Sequence, residues 1–333
     1  MSCWDDSIDI QRLGLQNQDV KKKEAIGNPA VDTFVNSKGL TIQTYHYEAA
    51  NPKGIVLCVH GYGTHFRFEY LTLGDQLYQG SWVERLVNAG YGVYGWDHQS
   101  FGLSDGWQRM RANVESFDDF IDDGIQFLNE QILSNKKEDV PVFLMGLSMG
   151  GCMAALMAER PEGKALAGVI LLSPMLSIET EKERNKAALP LVDFLSKAIP
   201  HLPLARQQPA KLEEITAARA KDPLFYKGMA RARMSNEILK AVDKVAEGAP
   251  QLTAPLLIIH SQRDTQCEPE GSSKFVNLVS SEVREISLLN DMWHNLANEP
   301  GNEKVFEEVY DFLRRHTEGD LLHPKPPTLT SGG

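Results

Sequence analysis

Short apolar runs recur along this chain, bounded by glycine, proline or polar residues, and the stretches between them place apolar residues at helical spacing. The runs at 55–59 (IVLCV), 91–96 (YGVYGW), 141–145 (PVFLM), 167–173 (AGVILLS), 255–260 (PLLIIH) and 283–289 read as strands, several of them apolar throughout, as for a parallel sheet covered on both faces. Segments 32–35 and 40–47 alternate instead around Asn36-Ser37-Lys38-Gly39, which predicts an antiparallel hairpin. One helix carries Trp82, Leu86 and Val87 and stops at Gly90. Another starts at Ser116, with Asp119 three residues on to complete the cap and Phe117, Phe120, Ile121, Gly124, Ile125 and Leu128 along one face. An amphipathic helix at 303–315 comes last. Strands alternating with helices predict an α/β fold with a mostly parallel, doubly wound central sheet flanked by helices.

The strand pattern breaks between 176 and 249, so this segment is expected to be a helical cap, or lid, over the strand ends. The core is then 31–175 and 250–316, with a polar lead-in at 1–30 and a disordered tail, rich in proline, threonine and glycine, at 317–333. Within the cap, 187–199 (AALPLVDFLSKAI) places Leu191, Phe194, Leu195 and Ala198 on one helical face and Asp193, Ser196 and Lys197 on the other. The plainer expectation is that the apolar face packs on the core. The sharper one is a lid whose apolar face lines an acyl tunnel and touches lipid aggregates.

Candidate chemistry centres on Gly146-Leu147-Ser148-Met149-Gly150, a G-x-S-x-G between an apolar strand and a small-residue helix. A serine on such a strand-to-helix turn has its hydroxyl pushed clear of the sheet, and the flanking glycines let strand and helix pass closely. A hydroxyl needs a base, and the base an orienting acid. In parallel sheets these gather at the carboxyl ends of strands. Asp264 follows the strand at 255–260, and His294 follows the one at 283–289, giving the order Ser148, Asp264, His294. His260 is expected inside its strand, and Asp291 and Glu268 are weaker acids for the role. The oxyanion donors would be the N–H groups of Met149, at the start of the helix, and of Tyr62, in the loop His60-Gly61-Tyr62-Gly63.

A formal net charge of −11 argues against a nucleic-acid partner. Four cysteines with no C-x-x-C predict neither a disulfide framework nor a metal site, and the acids Asp118, Asp119, Asp122 and Asp123 read as first-turn charge and a solvated helix face. No cofactor or metal is expected. No apolar run approaches a membrane span, and the first residues lack the apolar core of a signal peptide. A cytoplasmic protein is expected, peripheral to membranes or lipid droplets if it meets them.

The motifs HGYGTH with Arg67, D-H-x-x-x-G-x-S-x-G at 97–106, PVFLMGLSMGG, AGVILLSP, KDPL at 221–224 and WHNLANEP at 293–300, in this order, resemble the monoacylglycerol lipase family of serine α/β-hydrolases, lysophospholipase-like members included. The resemblance implies the α/β-hydrolase fold and cleavage of monoacylglycerol to fatty acid and glycerol, through the Ser148–Asp264–His294 triad and an acyl-enzyme. It implies oxyanion donors at Tyr62 and Met149, and substrate contacts at Thr64, Arg67, Leu191, Phe194 and Cys267. The partner is a small lipid ester, with peripheral membrane contact through the lid; the oligomeric state is left open. Thr64 stands where animal members carry a glutamate that helps hold the polar head, and Ser100-Phe101-Gly102 replaces the usual Gly-His-Gly. Three alternatives stay open: an esterase acting on a non-lipid, for instance phenolic, ester; a lysophospholipase served by a basic patch of Arg206, Lys211, Arg219, Lys221 and Lys227; and a non-catalytic binding protein on the same fold.

Overall fold

The computed structural model describes residues 26–27 and 29–318. Apart from 26–27, 29–30 and 317–318, the expected lead-in and tail lie outside the described residues. Eight strands form one sheet in the order β1-β2-β4-β3-β5-β6-β9-β10. β1 (Ala30–Val35) and β2 (Thr41–Tyr47) make the expected antiparallel hairpin, and β2 runs antiparallel to β4 (Tyr91–Trp96). β4, β3 (Gly54–Val59), β5 (Val142–Leu147), β6 (Gly168–Leu172), β9 (Leu256–Ser261) and β10 (Arg284–Leu289) are parallel. This is the α/β-hydrolase arrangement. The small strands β7 (Pro203–Ala205) and β8 (Ala230–Arg231) pair separately.

The helices, in chain order, are α1 (Phe66–Tyr70), α2 (Trp82–Asn88), α3 (Phe117–Phe127), α4 (Met149–Ala158), α5 (Glu179–Arg184), α6 (Leu189–Ala198), α7 (Glu213–Lys221), α8 (Ala232–Gly248), α9 (Pro269–Phe275) and α10 (Asn302–Glu318). Alternation along β5 shows how the sheet sorts its contacts. Val142 and Leu144 join one buried cluster, with side chains of α3, α4 and α8. Phe143, Met145 and Leu147 join the opposite cluster, with α2 and α10. Burial on both faces is why these strands read as unbroken apolar runs. The Ser116 cap is a capping box with Asp119, as its spacing predicts.

Two expectations change. Asp123 is not on a solvated face: it is buried, accepting from Asn36 Nδ2 and Gln99 Nε2, each at 2.8 Å. Its neighbour Asp119 pairs with Lys38 at 2.8 Å. The second change is in the segment between β6 and β9. α6 turns Ser196 of its polar face inward, fully buried, with Asn236 of α8 donating to Ser196 Oγ at 3.1 Å and to Asp193 Oδ1 at 3.3 Å, while Lys197 stays exposed. Leu191, Phe194 and the following Ile199 point outward, 56%, 63% and 51% exposed. Hydrogen bonding to α8, not the apolar stripe, decides which face packs. α8 itself buries Met234, Ala241, Val242 and Val245 in the main core, so the end of the 176–249 segment is part of the sheet's packing layer.

Candidate active site

β5 ends at Leu147 and α4 begins at Met149, leaving Ser148 alone on the turn at φ 58°, ψ −121°. This is a region that residues with a side chain rarely occupy. The glycines are required by contact. A Cβ on Gly146 would lie 2.1 Å from the Gly150 carbonyl oxygen, and one on Gly150 would lie 2.2 Å from that of Val59. Ser148 is held through its carbonyl, which accepts from Gly151 N at 2.9 Å and Met175 N at 3.0 Å.

Asp264 and His294 come together from the loops after β9 and β10. His294 Nδ1 donates to Asp264 Oδ2 at 2.6 Å, while Asp264 Oδ1 accepts from the backbone N–H groups of Gln266 (2.7 Å) and Cys267 (3.1 Å). Burial alone would raise the Asp264 pKa, but the charge of His294 and hydrogen bonds from His260 and His294 outweigh it and hold the carboxyl far below its ordinary range. The buried Glu299 carboxylate accepts from the N–H groups on either side of His294, Trp293 at 2.6 Å and Asn295 at 2.8 Å. The two loops are stitched together by Ser261 Oγ, which donates to the Met292 carbonyl. Of the rival acids, Asp291 pairs with Lys304, and Glu268 accepts from Ser177 Oγ and from the N–H groups of Glu179 and Thr180 at the start of α5.

Ser148, His294, Tyr62 and Met149 line one cavity of about 170 Å³. The Tyr62 loop is braced from behind. The His98 N–H donates to His60 Nε2 at 3.0 Å, His60 Nδ1 donates to the Gly61 carbonyl at 2.8 Å, and the two rings stack 3.6 Å apart. Burial pushes the His98 pKa down to about 3 and that of His60 well below its usual value, so neither is a base near neutral pH. Asp97 fixes the far end of the loop, accepting from Phe66 N at 3.0 Å and Leu103 N at 2.9 Å. A Cβ on Gly102 would meet Asp97 Oδ2 at 2.1 Å. The D-H-x-x-x-G-x-S-x-G stretch is thus scaffolding for the Tyr62 loop.

Of the sequence-predicted contacts, Thr64 and Cys267 line the cavity, with Cys267 Sγ 3.9 Å from Ser148 Oγ. Burial pushes the Cys267 thiol well above its ordinary range. Arg67, Leu191 and Phe194 are not among the lining residues. From α1 the cavity takes Phe68 and Glu69, and α6 presents Leu191 and Phe194 to solvent instead. Of the suggested basic patch, only Arg219 is in the lining.

Glu69 and Arg219 were not distinguished by sequence as a pair. Glu69 is almost wholly buried. Its pKa is raised by that burial, against the opposing charges of Arg219 and His294. Arg219 donates to Asn295 Oδ1 at 3.1 Å, with its guanidinium over the Phe225 ring. No local pattern marks either residue, because they meet only through the fold. Among the described residues, no group of three or more His, Cys, Asp or Glu side chains is arranged to hold a metal, and no helix is long and apolar enough to cross a membrane.

A serine raised on a strained turn, a histidine oriented by an ionised acid, and two loops facing the same cavity are the parts needed for acyl transfer. Comparison with known proteins fits this chemistry. The chain is 26% identical over 292 residues to the monoglyceride lipase of Homo sapiens, covering 85% of this chain and 90% of that one. It is 25% identical over 270 residues to the monoacylglycerol lipase of Mycolicibacterium smegmatis, covering 80% and 90%. Its fold matches the crystal structure of a soluble variant of monoglyceride lipase from Saccharomyces cerevisiae in complex with a substrate analog. That match has a TM-score of 0.74 at 19% identity and covers 86% of this chain and 96% of that one. The family model described as serine aminopeptidase, S33, matches residues 50–301, and the chain belongs to that family of serine hydrolases.

Proposed function

We propose that this hydrolase cleaves monoacylglycerol to a fatty acid and glycerol, with Ser148 as nucleophile, His294 as general base and acid, and Asp264 as orienting acid. His294 takes the Ser148 proton as the hydroxyl oxygen attacks the ester carbonyl. The N–H groups of Tyr62 and Met149 hold the oxyanion. His294 then protonates the departing glycerol oxygen, and a water repeats the sequence on the acyl-enzyme.

The observation that carries the substrate reading is the polarity of the cavity beside Ser148. Glu69 can accept from hydroxyl groups and Arg219 can donate to them, so together they suit a neutral polyol. A buried carboxyl at Glu69 offers the phosphate of a lysophospholipid no counter-charge, although Arg219 alone would favour it. The cavity of about 170 Å³ is smaller than pockets that enclose drug-sized ligands, so a long acyl chain requires the 176–249 segment to shift as a lid. The outward Leu191, Phe194 and Ile199 suit that lid to resting on a membrane or lipid droplet from the cytoplasmic side.

The test is hydrolysis of a panel: 2-oleoylglycerol, a triacylglycerol, lysophosphatidylcholine, a phenolic ester and p-nitrophenyl butyrate, with Ser148→Ala as control. Preference for 2-oleoylglycerol, falling by about three or more orders of magnitude in the control, is the expected result. Turnover of only short or phenolic esters discards the lipid assignment. No turnover of any ester by the folded protein moves the reading to a binding protein.

A further inference from the structure

His260 is the last but one residue of β9, fully buried, and takes no part in the triad as drawn above. Its ring nevertheless touches that triad. Nε2 lies 3.1 Å from Asp264 Oδ2, the same oxygen that accepts from His294 at 2.6 Å. On its other side, Nδ1 lies 2.7 Å from Oγ of Ser272, a fully buried hydroxyl on α9. A carboxylate can only accept, so Nε2 carries the proton and Nδ1 accepts from the Ser272 hydroxyl. The result is one buried chain, Ser272–His260–Asp264–His294, with both rings donating to a single carboxylate oxygen.

We propose that His260 is a positioning residue for catalysis: it fixes the plane of the Asp264 carboxylate and shares its charge, which sets both the orientation and the basicity of His294. The proposal rests on the triad assignment above. Two backbone N–H groups already hold Oδ1, and His260 supplies the second donor on Oδ2, so all four acceptor directions are used. With His260 removed, Oδ2 loses one of its two donors and offers its whole charge to His294 Nδ1–H. That slackens the geometry and stabilises the imidazolium, so the base is lost at a higher pH. The other ionisable groups facing this array are Glu69 from α1, Arg219 from α7, Glu299 beside the His294 loop and the Cys267 thiol. The substitutions below leave all of them in place, so a shift in the profile belongs to the His260 bond.

The experiment is the pH dependence of kcat/KM on p-nitrophenyl butyrate, a soluble ester that does not require lid contact with lipid. His260→Leu is expected to lower kcat/KM by about tenfold or more and to move the acid limb upward by about half a pH unit or more. His260→Gln, whose amide N–H can still donate to Asp264, is expected to recover most of the rate and to return the limb towards the wild-type position. Should His260→Leu fail to fold, Ser272→Ala decides. It removes the group that fixes the His260 tautomer and is expected to move the limb in the same direction by at least about a quarter of a unit. An unmoved acid limb in whichever of these variants folds, or a glutamine variant as impaired as the leucine one, overturns the proposal and leaves His260 a packing residue. Failure of the triad reading looks different, because Ser148→Ala and Asp264→Asn would then retain wild-type rates.

Discussion

Replacing Ser148, the proposed nucleophile, with glycine should make the folded protein more stable than replacing it with alanine. At φ 58° and ψ −121°, Ser148 occupies backbone space that is open to glycine and closed to most residues with a Cβ. Holding a side chain there costs on the order of 1–3 kcal/mol. Ser148→Ala removes the hydroxyl but keeps the Cβ, and therefore keeps the strain. Ser148→Gly removes both, while losing about 0.5–1 kcal/mol through the greater freedom of glycine in the unfolded chain. The net gain of glycine over alanine therefore lies between zero and about 2.5 kcal/mol, centred a little above about 1 kcal/mol. Unfolding entropy of about 2.1 cal/mol/K per residue over 333 residues makes each kcal/mol worth about 1.4 °C, so the midpoints should differ by about 2 °C, and by no more than about 3.5 °C. Urea unfolding gives the free energy directly, and a matched thermal scan gives the midpoints. A glycine variant no more stable than the alanine variant would refute the reasoning, because the turn would then hold no strain for the serine to release.

Three further outcomes are expected. Leu191→Asp with Phe194→Asp should weaken binding to phosphatidylcholine vesicles by at least tenfold, since inserting the exposed part of each side chain is worth about 1 kcal/mol or more, and should spare p-nitrophenyl butyrate; equal loss of both, or of neither, rejects a lipid-facing lid. Glu69→Gln should cut kcat/KM about tenfold on 2-oleoylglycerol and less than about threefold on methyl oleate, which has the same acyl chain without the polyol; parallel losses would make Glu69 a support of the loop rather than a contact for the alcohol. Burial raises the Asp123 pKa to about 7, against the hydrogen bonds of Gln99 and Asn36, so between about pH 4 and 7 the folded state holds a proton that the unfolded state has released. Stability therefore falls as pH rises through that window, and Asp123→Asn should flatten this part of the stability profile measured by urea unfolding at pH 5 and pH 8; parallel profiles would place the Asp123 carboxyl in its ordinary range.

The elements legible in the sequence are those whose cause is local. A strand covered on both faces is apolar along most of its length, so β3, β5, β6 and β9 could be read one at a time. The elbow could be read because a serine on a tight strand-to-helix turn leaves room only for glycine two residues to either side. Once the sheet was expected to be parallel, Asp264 and His294 followed from their places just past strand ends. What the sequence left open depends on contacts between distant segments. His260 could be placed in its strand, but only the packing of α9 and the Asp264 loop brings Ser272 and the carboxylate to its two nitrogens. Glu69 and Arg219 lie 150 positions apart and become neighbours because the segment between β6 and β9 folds back over α1. The outward apolar face of α6 defeats the usual reading of an amphipathic helix, since Asn236 on α8 offers hydrogen bonds to Asp193 and Ser196, and a buried amide must be satisfied. Local pattern determines where strands, helices and the candidate reacting groups lie. Which side chains then share a cavity, a proton or an interface is decided by the tertiary structure, because those energies belong to pairs that the chain order does not join.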